Sequence, residues 1–157
     1  MHKFQLKEFI RVSNGLILVI LQFIIIIFHF IQLEFLSKKE ILQVNSGLNL
    51  LGFSLIIFAS LVMLMAVKDL GSNLSPFPSP KDKSNLITSG VYRFMRHPMY
   101  YSLILISFGN FLTKLSFYHL ILTIILTLII KIKIILEEKY LKKKFRNYIA
   151  YIDKVKY

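Results

Sequence analysis

Cysteine and tryptophan are missing from the 157 residues, glycine occurs only six times, and acidic residues number eight. Without cysteine the chain forms no disulfide, thiolate metal site, thiol nucleophile or palmitoyl linkage, and the redox compartment stays open. The glycines stand at 15, 47, 52, 71, 90 and 109, a spacing that permits neither a G-x-G-x-x-G turn nor a P-loop. No serine sits in a G-x-S-x-G elbow. The histidines, at 2, 29, 97 and 119, show no H-E-x-x-H or other paired metal spacing, so no metal is expected. Hydrolase and metalloprotease chemistry lose their usual signatures.

What is present is apolar and basic together. Hydrophobic residues make up 55% and the net charge is +12, with a mean hydropathy of +0.63. Soluble nucleic-acid binders are basic but less apolar, and disordered chains are poor in Ile and Leu. The pair therefore points to an integral membrane protein of one domain, with membrane lipids rather than nucleic acid as partner.

Charges fence the spans, because a charge near the bilayer centre costs about 2.5–3.5 kcal/mol. Uncharged intervals of 22, 27, 17 and 16 residues lie between Arg11 and Glu34, Glu40 and Lys68, Arg96 and Lys114, and Lys114 and Lys131. A spanning helix needs about 20 residues. Four helices are expected near 13–33, 46–66, 98–113 and 116–136, the last two a tight hairpin, with Lys131 and Lys133 snorkelling to the interface. With both termini cytoplasmic, the inner segments hold 3, 5 and 9 Lys/Arg and the two outer loops together hold 3, as the positive-inside rule requires. The first apolar run exceeds a signal-peptide core and no A-x-A-like site follows it, so it is expected to stay as a span.

Between the second and third spans lies a loop over 67–97 that contains "SPFPSP" and ends in the turn signal Ser89-Gly90. Prolines at 76, 78 and 80 forbid a regular helix there. The tail places Ile134, Leu141, Phe145, Tyr148, Ile152 and Val155 on one stripe, with Lys142, Lys143, Arg146 and Lys154 largely off it. Residues 137–157 thus read as an amphipathic helix at the membrane interface. The fold class is all-α: a polytopic membrane protein of about four spans with that interfacial helix. Its Ile/Lys/Asn-rich character suits an AT-rich microbe, hence a bacterial or archaeal cytoplasmic membrane.

Two clusters carry chemistry. Tyr92-Arg93-Phe94-Met95-Arg96-His97-Pro98-Met99-Tyr100 stands where the third span begins. Pro98 suits the first helical position, and that helix start beside two Arg and a His fits a carboxylate or phosphate. On spacing alone, a basic patch that sets topology accounts for the same residues. Glu137-Glu138 stands at the end of the fourth span, where paired carboxylates near the hydrocarbon edge mark a site. Thr123, Thr127, Lys131, Ile134 and Glu138 recur at helical spacing, which would turn Glu138 inward. Pairing of Lys133 with Glu137 and of Glu138 with Lys142 is the plainer account.

The order of a Pro-rich loop, "LITSGVYRFMRHPMYYSLILISFGNFL", a hairpin partner and "ILEEKYLKKKFRNYIAYIDKV" resembles the isoprenylcysteine carboxyl methyltransferase and phospholipid N-methyltransferase superfamily over about 74–155. The resemblance implies S-adenosylmethionine in a membrane-embedded pocket without a Rossmann domain. It implies that His97, Pro98 and Tyr100 form the cofactor-binding turn and that at least one of Glu137 and Glu138 meets the cofactor. Arg93 and Arg96 would lie at the mouth. Ser102 stands where many relatives have Gly, and Arg146 rather than Gly follows Phe145.

Methyl transfer from a sulfonium is an in-line displacement, helped by alignment and desolvation. A carboxylate acceptor needs no base, only an Arg to orient it, Arg96 before Arg93. An amine headgroup must first lose a proton, to Glu138, Glu137 or His97. The acceptor is accordingly a lipid or a lipidated carboxylate or amine. Two other readings stand beside this one: an NADPH-dependent reductase of sterol-reductase type, and a non-enzymatic membrane scaffold.

Overall fold

The computed structural model describes residues 2–31 and 46–156, with side chains from Gly15 onward. The described chain is built of helices and irregular connections. Helix α1 is His2–Phe30, α2 is Ser46–Leu70, α3 is Pro98–Lys114, α4 is Phe117–Lys144 and α5 is Tyr148–Lys154. Short 3₁₀ turns occupy Gly71–Asn73 and Gly90–Arg93. In space α3 packs on α2 and α4, and α4 in turn packs on α1.

Each boundary has a local cause. Pro98 opens α3, where its missing N–H costs nothing. Leu115, in the left-handed region at φ 44°, ends it. Ser116 then caps α4 by accepting from the Tyr118 N–H. The expected hairpin is therefore present. The α2–α3 contact rests on Gly52 and Gly109: a Cβ on either would stand 2.7 Å from the other's carbonyl oxygen. Two backbones meet there because neither has a side chain.

Helix α2 with the turn after it (Ser46–Asn73) and α4 are each long and apolar enough to cross a membrane. Their large side chains face outward: Leu50, Phe53, Ile57, Phe58, Ile121 and Leu128 are all exposed. An all-round apolar helix with its greasy face outside belongs in lipid. The protein is membrane-associated.

The helices depart from expectation in several places. Helix α1 starts at His2 rather than near 13, and Ile31 already lies outside it. Positions 32–33 and the first outer loop with Lys38 and Lys39 fall outside the described residues. Helix α2 continues to Leu70 rather than 66. The tail is not one helix over 137–157: α4 ends at Lys144, Phe145 is extended at φ −113°, ψ 114°, and α5 forms separately. The cause is burial. Tyr148, Tyr151 and Val155 pack with Leu86, Leu141, Phe145 and Ile152, so much of the apolar stripe expected to lie at the membrane interface packs on the protein itself. The Tyr151 hydroxyl donates to the Tyr92 carbonyl at 2.5 Å.

The Pro-rich loop is helix-free from Leu74 to Ser89, as its prolines require. The Asn73 side chain donates to the Asn85 carbonyl and accepts from the Asn85 N–H, both at 3.2 Å, and Lys81 Nζ donates to the Ser72 carbonyl at 2.8 Å. Lys144, at the end of α4, donates to the Lys81 and Asp82 carbonyls and to Ser84 Oγ. These bonds hold the loop over one end of the bundle, here termed the loop end.

Candidate functional site

The site begins with a turn that only glycine can make. Gly90 sits at φ +60°, and a Cβ there would stand 2.0 Å from Asp69 Oδ2. That carboxylate accepts from the Val91 N–H at 2.8 Å, which ties the segment to the end of α2. The 3₁₀ turn that follows buries Tyr92 and leaves Arg93 exposed. Four residues separate this turn from α3, and the last two, Arg96 and His97, face α4.

There Arg96 Nη2 lies 3.1 Å from Glu138 Oε1 and His97 Nε2 lies 3.3 Å from the same oxygen. The His97 ring is buried and stacks on Tyr100 at 5.7 Å. The Tyr100 hydroxyl is hydrogen-bonded to Glu137. Arg96, His97, Tyr100, Glu137 and Glu138 thus form one connected cluster across α3 and α4. Charge-assisted bonds of this kind are the stronger ones, contributing roughly 1.5–3 kcal/mol each.

Two cavities meet at this cluster. One, of about 90 Å³, lies under the loop and is lined by Tyr148, Tyr151 and Phe145. The other, of about 350 Å³, lies between α1, α3 and α4 and is lined by Phe23, Ile26, Met63, Met99 and Leu103. Leu70, Ser75, Tyr92, Arg96 and Glu137 line both and form their common wall. Both are lined mainly by apolar surface, and the smaller has the larger polar share. Arg96 Nε and the Tyr148 hydroxyl are buried without a partner among the described residues. Such groups cost free energy unless something else satisfies them. Burial raises the Tyr92 and Tyr148 phenols and pushes Tyr151 up to about 12. All three stay neutral at physiological pH.

The inward face of α4 differs from the expected one. Thr123, Leu126, Ile130 and Lys133 are buried, whereas Lys131 is exposed. Glu137 continues that face to the common wall, and Glu138 stands beside it, turned to α3. Lys133 does not snorkel. It is only 1% exposed, and its ammonium donates to Gln22 Oε1 at 2.5 Å and to the Pro76 carbonyl at 3.2 Å. A polar group on the facing helix draws it inward instead.

Of the residues singled out in the sequence, Arg96, His97, Tyr100, Glu137 and Glu138 are brought together. Pro98 is buried at the first turn of α3, where it starts the helix. Arg93 is exposed and lines neither cavity, because the turn that buries Tyr92 points its neighbour away. Sequence reasoning missed Gln22, Tyr92, Lys133 and Tyr148. The available signal was Gln22 and Lys133 as polar residues within apolar runs.

The family model for phospholipid methyltransferase matches residues 48–148. The chain belongs to the phospholipid methyltransferase family. It is a membrane methyltransferase that acts on lipids, and the reductase and scaffold readings are not favoured. The matched segment runs from α2 to Tyr148 and so contains the whole Arg96–Glu138 cluster; Gln22 on α1 lies outside it. No curated protein matches the chain.

Proposed function

We propose that this family member is an S-adenosylmethionine-dependent enzyme that methylates the amine of a lipid headgroup. One observation carries the reading: Glu137 and Arg96 stand in the common wall of two cavities, with Glu138 paired to Arg96 and His97 directly beside it.

The donor set suits the cofactor. Its carboxylate fits Arg96, whose Nε has no partner, and the Tyr148 hydroxyl. Its ribose diol and positive charge fit Glu138, whose contacts to Arg96 and His97 fall on Oε1 alone. His97, Pro98, Tyr100 and Glu137 complete that side, with Pro98 supplying the helix start. When bound, the cofactor supplies an electrophilic methyl group on a sulfonium.

The chain's own residues do the rest. Glu138 is engaged by Arg96 and His97, which leaves Glu137 as the base. Glu137 takes one proton from the acceptor's ammonium, and the nitrogen lone pair becomes free to attack. Tyr100, bonded to Glu137, fixes the carboxylate's orientation. The apolar residues of the larger cavity exclude water, which strengthens each charge interaction and favours alignment. Arg93 takes no part.

The reading includes four spans within a single domain over 1–157, both termini on the cytoplasmic face as the Lys/Arg distribution asks, and lipid entry from the bilayer. The test is calorimetric titration of detergent-purified protein with S-adenosylhomocysteine, followed by transfer of labelled methyl to lipid vesicles. Saturable binding with label in an amine lipid is expected. Folded protein that binds no S-adenosylhomocysteine overturns the reading.

A further inference from the structure

Lys133 has no use in the chemistry above, yet it is a buried cation in the apolar half of the site. A charge kept inside a membrane helix bundle marks a function by default. Its hydrogen-bond partners, Gln22 Oε1 and the Pro76 carbonyl, are neutral, and its ammonium lies over the Tyr100 ring at 5.2 Å. Among the described residues no carboxylate reaches it at ion-pair distance; Glu138 pairs with Arg96 and His97 instead. An ammonium has three donors, and two are engaged.

Lys133 also lines the larger cavity, together with Glu137 one turn further along the same helix face. One turn of helix rises about 6 Å over four residues. The cavity therefore offers an anion-seeking donor and a cation-seeking carboxylate at a separation that suits a phosphate and an amine two carbons apart. Phe23, Ile26 and Met63, on the same cavity wall, are apolar and suit acyl chains.

We propose that Lys133, held by Gln22, is the residue that binds the phosphodiester of the lipid acceptor and so positions the acceptor's amine at Glu137. This rests on the amine-methylation reading, but its test has a readout of its own. The full chain in detergent is equilibrated with phosphatidylethanolamine or diacylglycerol, and retained lipid is measured by native mass spectrometry.

Wild-type protein should prefer phosphatidylethanolamine. Lys133→Met should lower that preference about 10- to 100-fold, the effect of losing a hydrogen bond to a charged group. Lys133→Arg should restore most of it. If Lys133→Met does not fold, Gln22→Leu reads the same preference, which should fall as the ammonium loses its nearest partner. Equal loss of both lipids would make Lys133 structural and overturn the proposal. So would loss of S-adenosylhomocysteine affinity with the lipid preference intact, since Lys133 would then serve the cofactor's carboxylate. Lipid preference unaffected by Lys133 but abolished by inorganic phosphate would also overturn it. Lys133-dependent retention without methyl transfer would instead leave the proposal standing and remove the amine-methylation reading.

Discussion

The bundle has polar groups at both ends, and the two ends handle them differently. At the loop end Arg96 and Glu137 border two cavities, His97 and Lys133 border the larger one, Glu138 pairs beside them, and Arg96 Nε is left unsatisfied among the described residues. Toward the hairpin end the groups are neutral and mostly consumed by one another. His29 Nδ1 bonds the Ile25 carbonyl at 3.0 Å, its Nε2 lies 2.6 Å from Ser107 Oγ, and Ser107 meets Thr123 Oγ1 at 2.8 Å. The Tyr118 hydroxyl closes on the Phe28 carbonyl at 2.7 Å. A chain of satisfied neutral bonds fixes how helices sit; charges left partly unpaired beside a cavity wait for a ligand. His119, buried with neither ring nitrogen bonded, is the exception at the hairpin end.

This contrast predicts unlike responses to substitution. The largest effect belongs to Glu137→Gln, which should lower the rate of methyl transfer by about 10²–10⁴ as a general base is lost. Its S-adenosylhomocysteine affinity should fall far less, and single-turnover transfer assays beside calorimetry check both. An equal fall in binding and rate would assign Glu137 to the cofactor alone. Next comes Glu138→Gln, for which S-adenosylhomocysteine affinity should drop about 10- to 100-fold as its charge-assisted bonds weaken. Unchanged affinity would remove Glu138 from the cofactor side.

At the other end, Ser107→Ala should destabilise the fold by about 1–3 kcal/mol, because His29 Nε2 and Thr123 lose a buried partner. Thermal melting in detergent reads this, and S-adenosylhomocysteine affinity should not change. A selective loss of ligand binding in this variant would break the distinction between the ends.

The smallest expected effect is that of Tyr151→Phe, about 0.5–1.5 kcal/mol for one neutral hydrogen bond. Burial pushes the Tyr151 phenol up to about 12 in the folded protein, above the 10.0 of a free tyrosine. The stabilisation from the neutral phenol is therefore full below pH 10 and is lost as pH rises toward 12. Tail docking followed by proteolysis across that window should show the loss, and Tyr151→Phe should flatten it. Tyr92 and Tyr148, both raised by burial, contribute in the same direction.

The residues of this site were named from two clusters together with a family resemblance. Arg96, His97, Tyr100, Glu137 and Glu138 stand on two helix ends whose starts and stops are local matters: Pro98 at a first position, Ser116 as a cap, charges that fence the apolar runs. The role expected for Arg93 could not survive, because the turn at Gly90–Arg93 turns one side chain in and the next out. Glu137, not Glu138, continues the inward face of α4, since Thr123, Leu126, Ile130 and Lys133 set a stripe offset by one residue from the expected one.

The sequence alone determined a helical, basic membrane protein with an Arg-His-Pro helix start and paired acids at two span ends, and the methyltransferase reading came from its resemblance to a family. Composition, helical period and short-range caps act within a few residues, and they reach that far. The tertiary structure decided what lies across the site. Gln22 meets Lys133 over 111 positions of sequence, and Tyr151 meets Tyr92 over 59. Such contacts depend on how each helix is rotated and how deeply it packs, and Gly52 against Gly109 sets the closeness of one such pair. No local pattern encodes that rotation, so the buried lysine and the folded-back tail appeared only once the helices were assembled.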